Sequence, residues 1–96
     1  IAQGTINRVS PSIREILQIA MNNHAPAILL AHNHPSGDIL PSESDKVLTR
    51  DLIVAANSME LRVFDHLIIG ENKYYSFADE GLIEKYEMQM VNNLEL

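Results

Sequence analysis

Ala27-Ile28-Leu29-Leu30-Ala31-His32-Asn33-His34-Pro35 is the stretch on which the reading of this chain turns. Its five leading residues are apolar without alternation, which predicts a strand buried on both faces, as in a sheet covered by helices. Two imidazoles, two residues apart, then stand at the strand's end, with a proline locking the exit. Side chains alternate along a strand, so His32 and His34 are expected to project to the same side. Asp45 lies eleven residues beyond His34, at the start of the helix expected next. From there its carboxylate completes a set of three ligands and leaves a fourth position for water. That is the arrangement of a catalytic zinc, whereas structural zinc sites are usually closed by four ligands, mostly Cys. The chain contains no Cys, which disfavours a closed site.

Working outward, residues 4–9 are short and β-leaning through Thr5, Ile6 and Val9. Ser10-Pro11 supplies a cap and a proline suited to the first helical position. Ile13, Ile16, Leu17 and Ala20 follow at i, i+3, i+4, i+7 spacing, predicting a helix over about 12–23. Residues 33–41 are loop, dense in Asn, Pro, Ser, Gly and Asp. A helix is expected from Ser42, with an apolar stripe of Val47, Leu48, Leu52, Ala55, Ala56 and Met59. A strand over Arg62 to Ile69 stops at Gly70-Glu71-Asn72, and Lys73 to Phe77 returns antiparallel. From Asp79 the chain turns helical, with Leu82, Ile83, Tyr86 and Met90 on one stripe. The order β-α-β-α-β-β-α predicts an α/β domain of layered α-β-α type, a mixed sheet flanked by helices.

The whole chain bounds the function further. Ninety-six residues form one domain, and 46% hydrophobic with 21% charged residues is a globular composition. No apolar run approaches the roughly 20 residues needed to span a bilayer. The start, Ile1-Ala2-Gln3-Gly4, carries neither Met nor a signal-peptide layout and reads as a cut from a longer protein. Absence of Cys is compatible with a reducing cytoplasm. The net charge is −6, and the seven basic residues are scattered. Nucleic-acid binding is driven by Lys and Arg neutralising phosphates, so no direct nucleic-acid contact is expected of this chain, nor any with a membrane. A homo-oligomer is compatible with what is seen.

Each candidate has a plainer reading beside the chemical one. Ser42-Glu43-Ser44-Asp45 fits a helix capping box. The two readings are compatible, because a capped first turn pins the carboxylate that would serve as ligand. Asp65 and His66 are adjacent in a strand and so face opposite sides; a buried polar pair bonded to backbone is preferred for them over a role at the metal. Asp38 is as suited to capping a turn as to touching the metal. His24 falls at a helix end, where it would interact with the dipole, and Met88 and Met90 read as packing or surface.

The full pattern is His-x-His-Pro, six residues, Ser, two residues, Asp: His32, His34, Pro35, Ser42 and Asp45. It resembles the JAMM motif of the JAB/MPN metalloprotease superfamily. The longer stretch His32-Asn33-His34-Pro35-Ser36-Gly37-Asp38 is similar to the signature of its bacterial RadC branch, long labelled as DNA repair proteins. Gly4-Thr5, Arg14-Glu15-Ile16, Asp65 to Gly70, and Ser76-Phe77 with Gly81 resemble the same family. The resemblance covers residues 4 to about 83. It implies a cytidine-deaminase-like JAB/MPN domain holding one Zn²⁺ per chain on His32, His34 and Asp45. Ser42 would be the catalytic hydroxyl beside the reacting oxygen.

The implied activity is zinc-dependent hydrolysis of a peptide or isopeptide bond. The chemistry suits the residue types: zinc activates water and polarises a carbonyl, and a serine hydroxyl can donate to an oxyanion. Pro35 and Gly37 would shape the loop. One departure stands out. JAMM hydrolases carry a glutamate on an early strand before His-x-His, and the only acid before His32 here is Glu15, in a helical segment. The base is therefore read as lying on a strand that should precede Ile1, as should a helix-hairpin-helix region, and this chain alone is expected to be inactive. Ile13 stands where the family has proline. The alternative function is a non-catalytic interaction module of a DNA repair or recombination protein. A deaminase is disfavoured, since the His-x-Glu and Cys-x-x-Cys elements are lacking.

Overall fold

A computed structural model describes residues 11–34 and 37–94. The β-leaning segment at 4–9 and the loop pair Pro35-Ser36 lie outside the described residues. The elements are α1 (Ile13–Asn22), β1 (Ala27–Asn33), α2 (Glu43–Ser58), β2 (Arg62–Gly70), β3 (Lys73–Ser76) and α3 (Leu82–Leu94). The sheet order is β1-β2-β3, with β1 and β2 parallel and β2 and β3 antiparallel. A mixed sheet joined through helices is the α/β class that the sequence pattern predicts.

Helix α1 starts one step later than expected. Its N-cap is Ser12, not Ser10: the Ser12 side chain accepts from the Glu15 N–H at 3.1 Å. Ser12-x-x-Glu15 has capping-box spacing, and that local bond outweighs the fit of Pro11 to a first helical position. At the other end, His24 lies beyond the helix in a left-handed conformation, φ 53°. Its N–H donates to the Met21 carbonyl and that of Ala25 to the Ala20 carbonyl, the paired bonds of a Schellman cap. His24 is thus a cap residue and not part of the last helical turn.

Strand β1 corrects the expectation of burial on both faces. Its exposure alternates: Ile28 is buried and Leu30 partly so, while Ala27, Leu29 and Ala31 are exposed. Ile28, Val63 and Ile68 join Ile16 and Ala20 of α1, Leu52, Ile53 and Ala56 of α2, and Ile83 and Tyr86 of α3 in one core. The opposite side of the sheet presents Leu29, Phe64, Ile69 and Tyr74 to solvent. An apolar run cannot report which of its two faces is covered.

The stripe of α2 is likewise rotated from the expected one. Thr49, Leu52, Ile53 and Ala56 are buried, whereas Val47 and Met59 are exposed. Thr49 escaped the stripe because it is polar, yet it is fully buried.

A β-bulge positions the next strand. Ile28 is opposite Val63 but Leu29 is opposite Asp65, so Phe64 is an extra residue on β2. Such an insertion inverts the facing of everything after it. Without it His66 would lie opposite Ala31, on the exposed side. With it His66 lies opposite Leu30 and turns into the core. Asp65 secures the bulge: its carboxylate accepts from the His66 and Ala78 N–H groups at 2.7 and 2.8 Å and from the Ser76 hydroxyl. Asp65 is bonded to backbone, as its plainer reading holds. His66 is not.

Candidate metal centre

His32 ends on β1 and His34 follows just beyond it, and their rings lie side by side with centroids 4.9 Å apart. Asp45 sits at the third position of α2. There it completes a reciprocal capping box: Ser42 Oγ accepts from the Asp45 N–H at 3.1 Å, and Asp45 Oδ2 accepts from the Ser42 N–H at 2.8 Å. The cap fixes the carboxylate's direction. Its Oδ1 stands 3.4 Å from His32 Nε2 and its Oδ2 3.2 Å from His34 Nε2. The structure therefore brings together the three ligands expected from sequence.

The donor set fits a metal. One ligand atom from each of His32, His34 and Asp45 lies within 4.8 Å of the others. Around a tetrahedral zinc with bonds of about 2.0–2.1 Å, neighbouring ligand atoms stand about 3.3 Å apart. The two nitrogen–oxygen separations are close to that spacing, one to each oxygen of the carboxylate. The protonation pattern points the same way. His34 Nδ1 is 2.7 Å from the Asp38 carbonyl oxygen, and a carbonyl only accepts, so Nδ1 carries hydrogen. In the neutral ring Nε2 is then a bare lone pair aimed at a carboxylate oxygen. Two acceptors in that opposition require a cation between them, whether a proton or a metal.

The electrostatics favour ligand-ready forms. Burial lowers the His32 pKa, with His34 adding to the effect and Asp45 opposing it. Burial alone would raise the Asp45 pKa, but the Ser42 hydrogen bonds and the two imidazoles outweigh it and hold the carboxyl below its ordinary value. The site is partly open to solvent, with the His32 side chain 37% exposed.

The loop that carries His34 is held by backbone. The Gly37 N–H donates to the His34 carbonyl at 3.0 Å, with Gly37 at φ 79°, a left-handed position suited to glycine. Asp38 turns its side chain to the Leu40 N–H at 3.0 Å. Its carbonyl, not its carboxylate, faces the site. Gly70 at the end of β2 gives this loop room: a Cβ there would stand 2.7 Å from Ile39 Cγ2 and 3.3 Å from the Gly37 carbonyl oxygen. Ser42 is exposed and its oxygen is engaged as the helix cap, 3.1 Å from Ser44 Oγ. In the contact with Ser44 either hydroxyl can be the donor.

Two further residues adjoin this site: His66, for which the sequence favours a backbone-bonded role, and Thr49, which nothing in the sequence singles out. His66 Nε2 is 3.0 Å from His32 Nδ1, and His66 Nδ1 is 2.6 Å from Thr49 Oγ1. The His66 ring stacks on Phe77, with centroids 4.6 Å apart and planes 9° apart. Burial, the larger cause, and the neighbouring His32 push its pKa down to about 4. His66 is therefore neutral at physiological pH. The signal available in the sequence was a lone histidine within the apolar strand Val63 to Ile69, which has to satisfy both ring nitrogens inside a core.

The chain is 46% identical over 80 residues to the UPF0758 protein YeeS of Escherichia coli, a match covering 83% of this chain and 54% of that protein. It is 48% identical over 80 residues to the UPF0758 protein YkfG of the same organism, covering 83% and 51%. To a UPF0758 protein of Actinobacillus succinogenes it is 50% identical over 78 residues, covering 81% and 36%. The matched region spans about half the length of the E. coli relatives, and less of the third. The family model described as a RadC-like JAB domain matches residues 1–82, and with the His32, His34 and Asp45 cluster in place, this chain belongs to the RadC-like JAB domain family.

Proposed function

We propose that this domain is the zinc-binding core of a hydrolase of metallopeptidase or isopeptidase type. The observation that carries the reading is the convergence of His32 Nε2, His34 Nε2 and the Asp45 carboxylate on one partly exposed point. Three ligands with an open side are the requirement of catalytic and not of structural zinc. Zinc, when bound, supplies Lewis acidity that polarises a carbonyl and eases the loss of a proton from water. The chain's own groups do the rest. His32 and His34 orient the site, Asp45 balances its charge, and the Ser42 hydroxyl is placed at the helix start to donate to an oxygen that gains negative charge. The substrate class is an amide or isopeptide bond. Among the described residues no helix is long and apolar enough to cross a membrane, and a cytoplasmic setting suits a chain without Cys.

A second reading is a non-catalytic interaction module of a DNA repair or recombination protein. It is favoured by the lack, among the described residues, of another carboxylate in the metal-ligand group. Glu15 is bonded to Ser12 at the start of α1. With a net charge of −6, any DNA contact would lie outside this chain. Equilibrium dialysis against zinc, followed by a peptide and isopeptide cleavage screen on the protein at its natural length, separates the readings. Stoichiometric zinc with cleavage supports the first, and zinc without cleavage the second. Failure to bind zinc at low micromolar concentration overturns the metal site itself.

A further inference from the structure

The side chains behind the metal ligands form a chain of hydrogen bonds whose direction can be worked out atom by atom. Thr49 Oγ1 lies 2.8 Å from the Asp45 carbonyl oxygen. A carbonyl cannot donate, so the single hydroxyl hydrogen of Thr49 goes to it. The hydroxyl oxygen, 2.6 Å from His66 Nδ1, is then left to accept, and His66 carries its hydrogen on Nδ1. A neutral imidazole has one N–H, so His66 Nε2 is a lone pair. Facing it at 3.0 Å is His32 Nδ1, which must donate. His32 Nε2 is thereby left bare, on the side of Asp45 Oδ1.

We propose that His66, held by Thr49, is a positioning residue that fixes His32 as its Nδ1–H tautomer and so presents Nε2 to the metal. The inference rests on the reading of His32 as a zinc ligand and deepens it. The relay is rigid along its length. His66 is 1% exposed and Thr49 fully buried. The Phe77 ring stacks on His66, and the Phe77 N–H donates to the His66 carbonyl at 3.0 Å. The relay also closes on itself, because Asp45 supplies both the carbonyl that anchors it and the carboxylate that joins His32 at the metal. His34 has its own, separate orienting bond to the Asp38 carbonyl. Each imidazole is thus set independently. A hydrogen bond of this kind to a metal-ligating histidine fixes its tautomer and raises its basicity, and its loss typically weakens metal binding about 10–100-fold.

Nitrogen-15 NMR of the wild-type chain, metal-free and zinc-loaded, reads the tautomers directly without any variant. His66 should carry its proton on Nδ1 in both states, and zinc-loaded His32 on Nδ1. A His66 proton on Nε2 overturns the proposal. In a zinc competition titration, His66→Phe keeps the stack on Phe77 but removes the acceptor, and should bind zinc about 10–100-fold more weakly. His66→Gln, whose amide oxygen can accept from His32 Nδ1, should recover most of that loss. Wild-type affinity in a folded His66→Phe variant, or equal losses in both variants, overturns the relay while leaving the zinc reading intact. A wild-type chain that takes no zinc overturns both, so the two failures are distinct.

Discussion

Replacing Thr49 by Val isolates one hydroxyl in the core at nearly constant shape. Thr49 is fully buried and its Oγ1 makes two bonds, to the Asp45 carbonyl and to His66 Nδ1, at 2.8 and 2.6 Å. The Asp45 carbonyl keeps its backbone acceptor role in α2 after the change. The His66 Nδ1–H does not keep a partner. A buried donor left unpaired costs about 1–3 kcal/mol, and the added methyl returns at most about 0.8 kcal/mol. Helix propensities of Thr and Val are close. The expected outcome is a net loss of up to about 2 kcal/mol, although the variant is more apolar. Metal-free protein has an escape, since the His66 proton can move to Nε2 and donate to His32. That route leaves His32 with the wrong tautomer for a ligand. The loss should therefore be larger in urea unfolding with zinc present than with chelator present. Thr49→Ser, which keeps the hydroxyl, should lose about 1 kcal/mol for its methyl in both conditions. A Thr49→Val protein as stable as wild type in zinc would refute the hydrogen-bond direction argued above.

Acid should destabilise the metal-free protein early. The His66 pKa is about 4 when folded, below its ordinary 6.5, so the unfolded chain binds the proton first. Stability contributed by the neutral ring is complete above about pH 6.5 and is lost as pH falls toward 4, to a limit of about 3 kcal/mol. The lowered His32 pKa acts in the same sense, and the lowered Asp45 pKa adds a further loss below its ordinary 3.8. Urea midpoints measured across pH 7 to 4 should fall, and His66→Phe should flatten the curve; an unchanged slope would contradict a neutral buried His66. Ser42→Ala should cost about 1 kcal/mol through the lost helix cap yet retain zinc; release of zinc would show that Ser42 does more than cap and donate. Gly70→Ala would bring a Cβ to 2.7 Å from Ile39 Cγ2, and displacing that loop should cost about 1–3 kcal/mol. It should also weaken zinc binding by disturbing the His34 bond to the Asp38 carbonyl, which a competition titration would detect.

Local chemistry made most of the ligand cluster legible, and long-range pairing hid the rest. His32 and His34 could be read as neighbours because two-residue spacing at a strand end needs no tertiary information. Asp45 could be placed because Ser42-x-x-Asp45 is a helix start in its own right. The bulge at Phe64 is a different kind of feature. It exists because Asp65 finds three donors, His66, Ser76 and Ala78, and two of those belong to the segment that returns along β2. Strict alternation along β2 cannot foresee it, and so cannot foresee that His66 faces His32. Thr49 was passed over for a related reason. In an apolar-stripe reading a threonine counts as polar surface, but its hydroxyl is satisfied within the helix and by His66. The uncovered side of β1 was hidden because Ala27 to Ala31 look alike whichever neighbours pack on them.

The position of Asp45 on α2 explains how one carboxylate can serve a helix and a metal together. Oδ2 accepts from the Ser42 N–H, one of the orphan donors of a helix start. Oδ1 takes no part in the capping box and looks toward His32. A cation at the site can therefore be bound through the carboxylate without uncapping the helix. The converse also holds: the cap keeps the carboxylate aimed when no cation is present, so little ordering entropy is left for binding to cost. The positive end of the helix dipole favours the charged carboxylate at that position and joins the Ser42 bonds in opposing the effect of burial. Asn at 45 would retain the size and one acceptor oxygen, so it should preserve most of the cap. It would remove the one negative charge in the donor set and replace a good oxygen ligand with a weaker amide. Asp45→Asn is accordingly expected to unfold near the wild-type midpoint in chelator and to lose zinc binding by far more than Ser42→Ala does. An Asp45→Asn protein that held zinc as tightly as wild type would mean that the two histidines suffice, and that Asp45 is a cap alone.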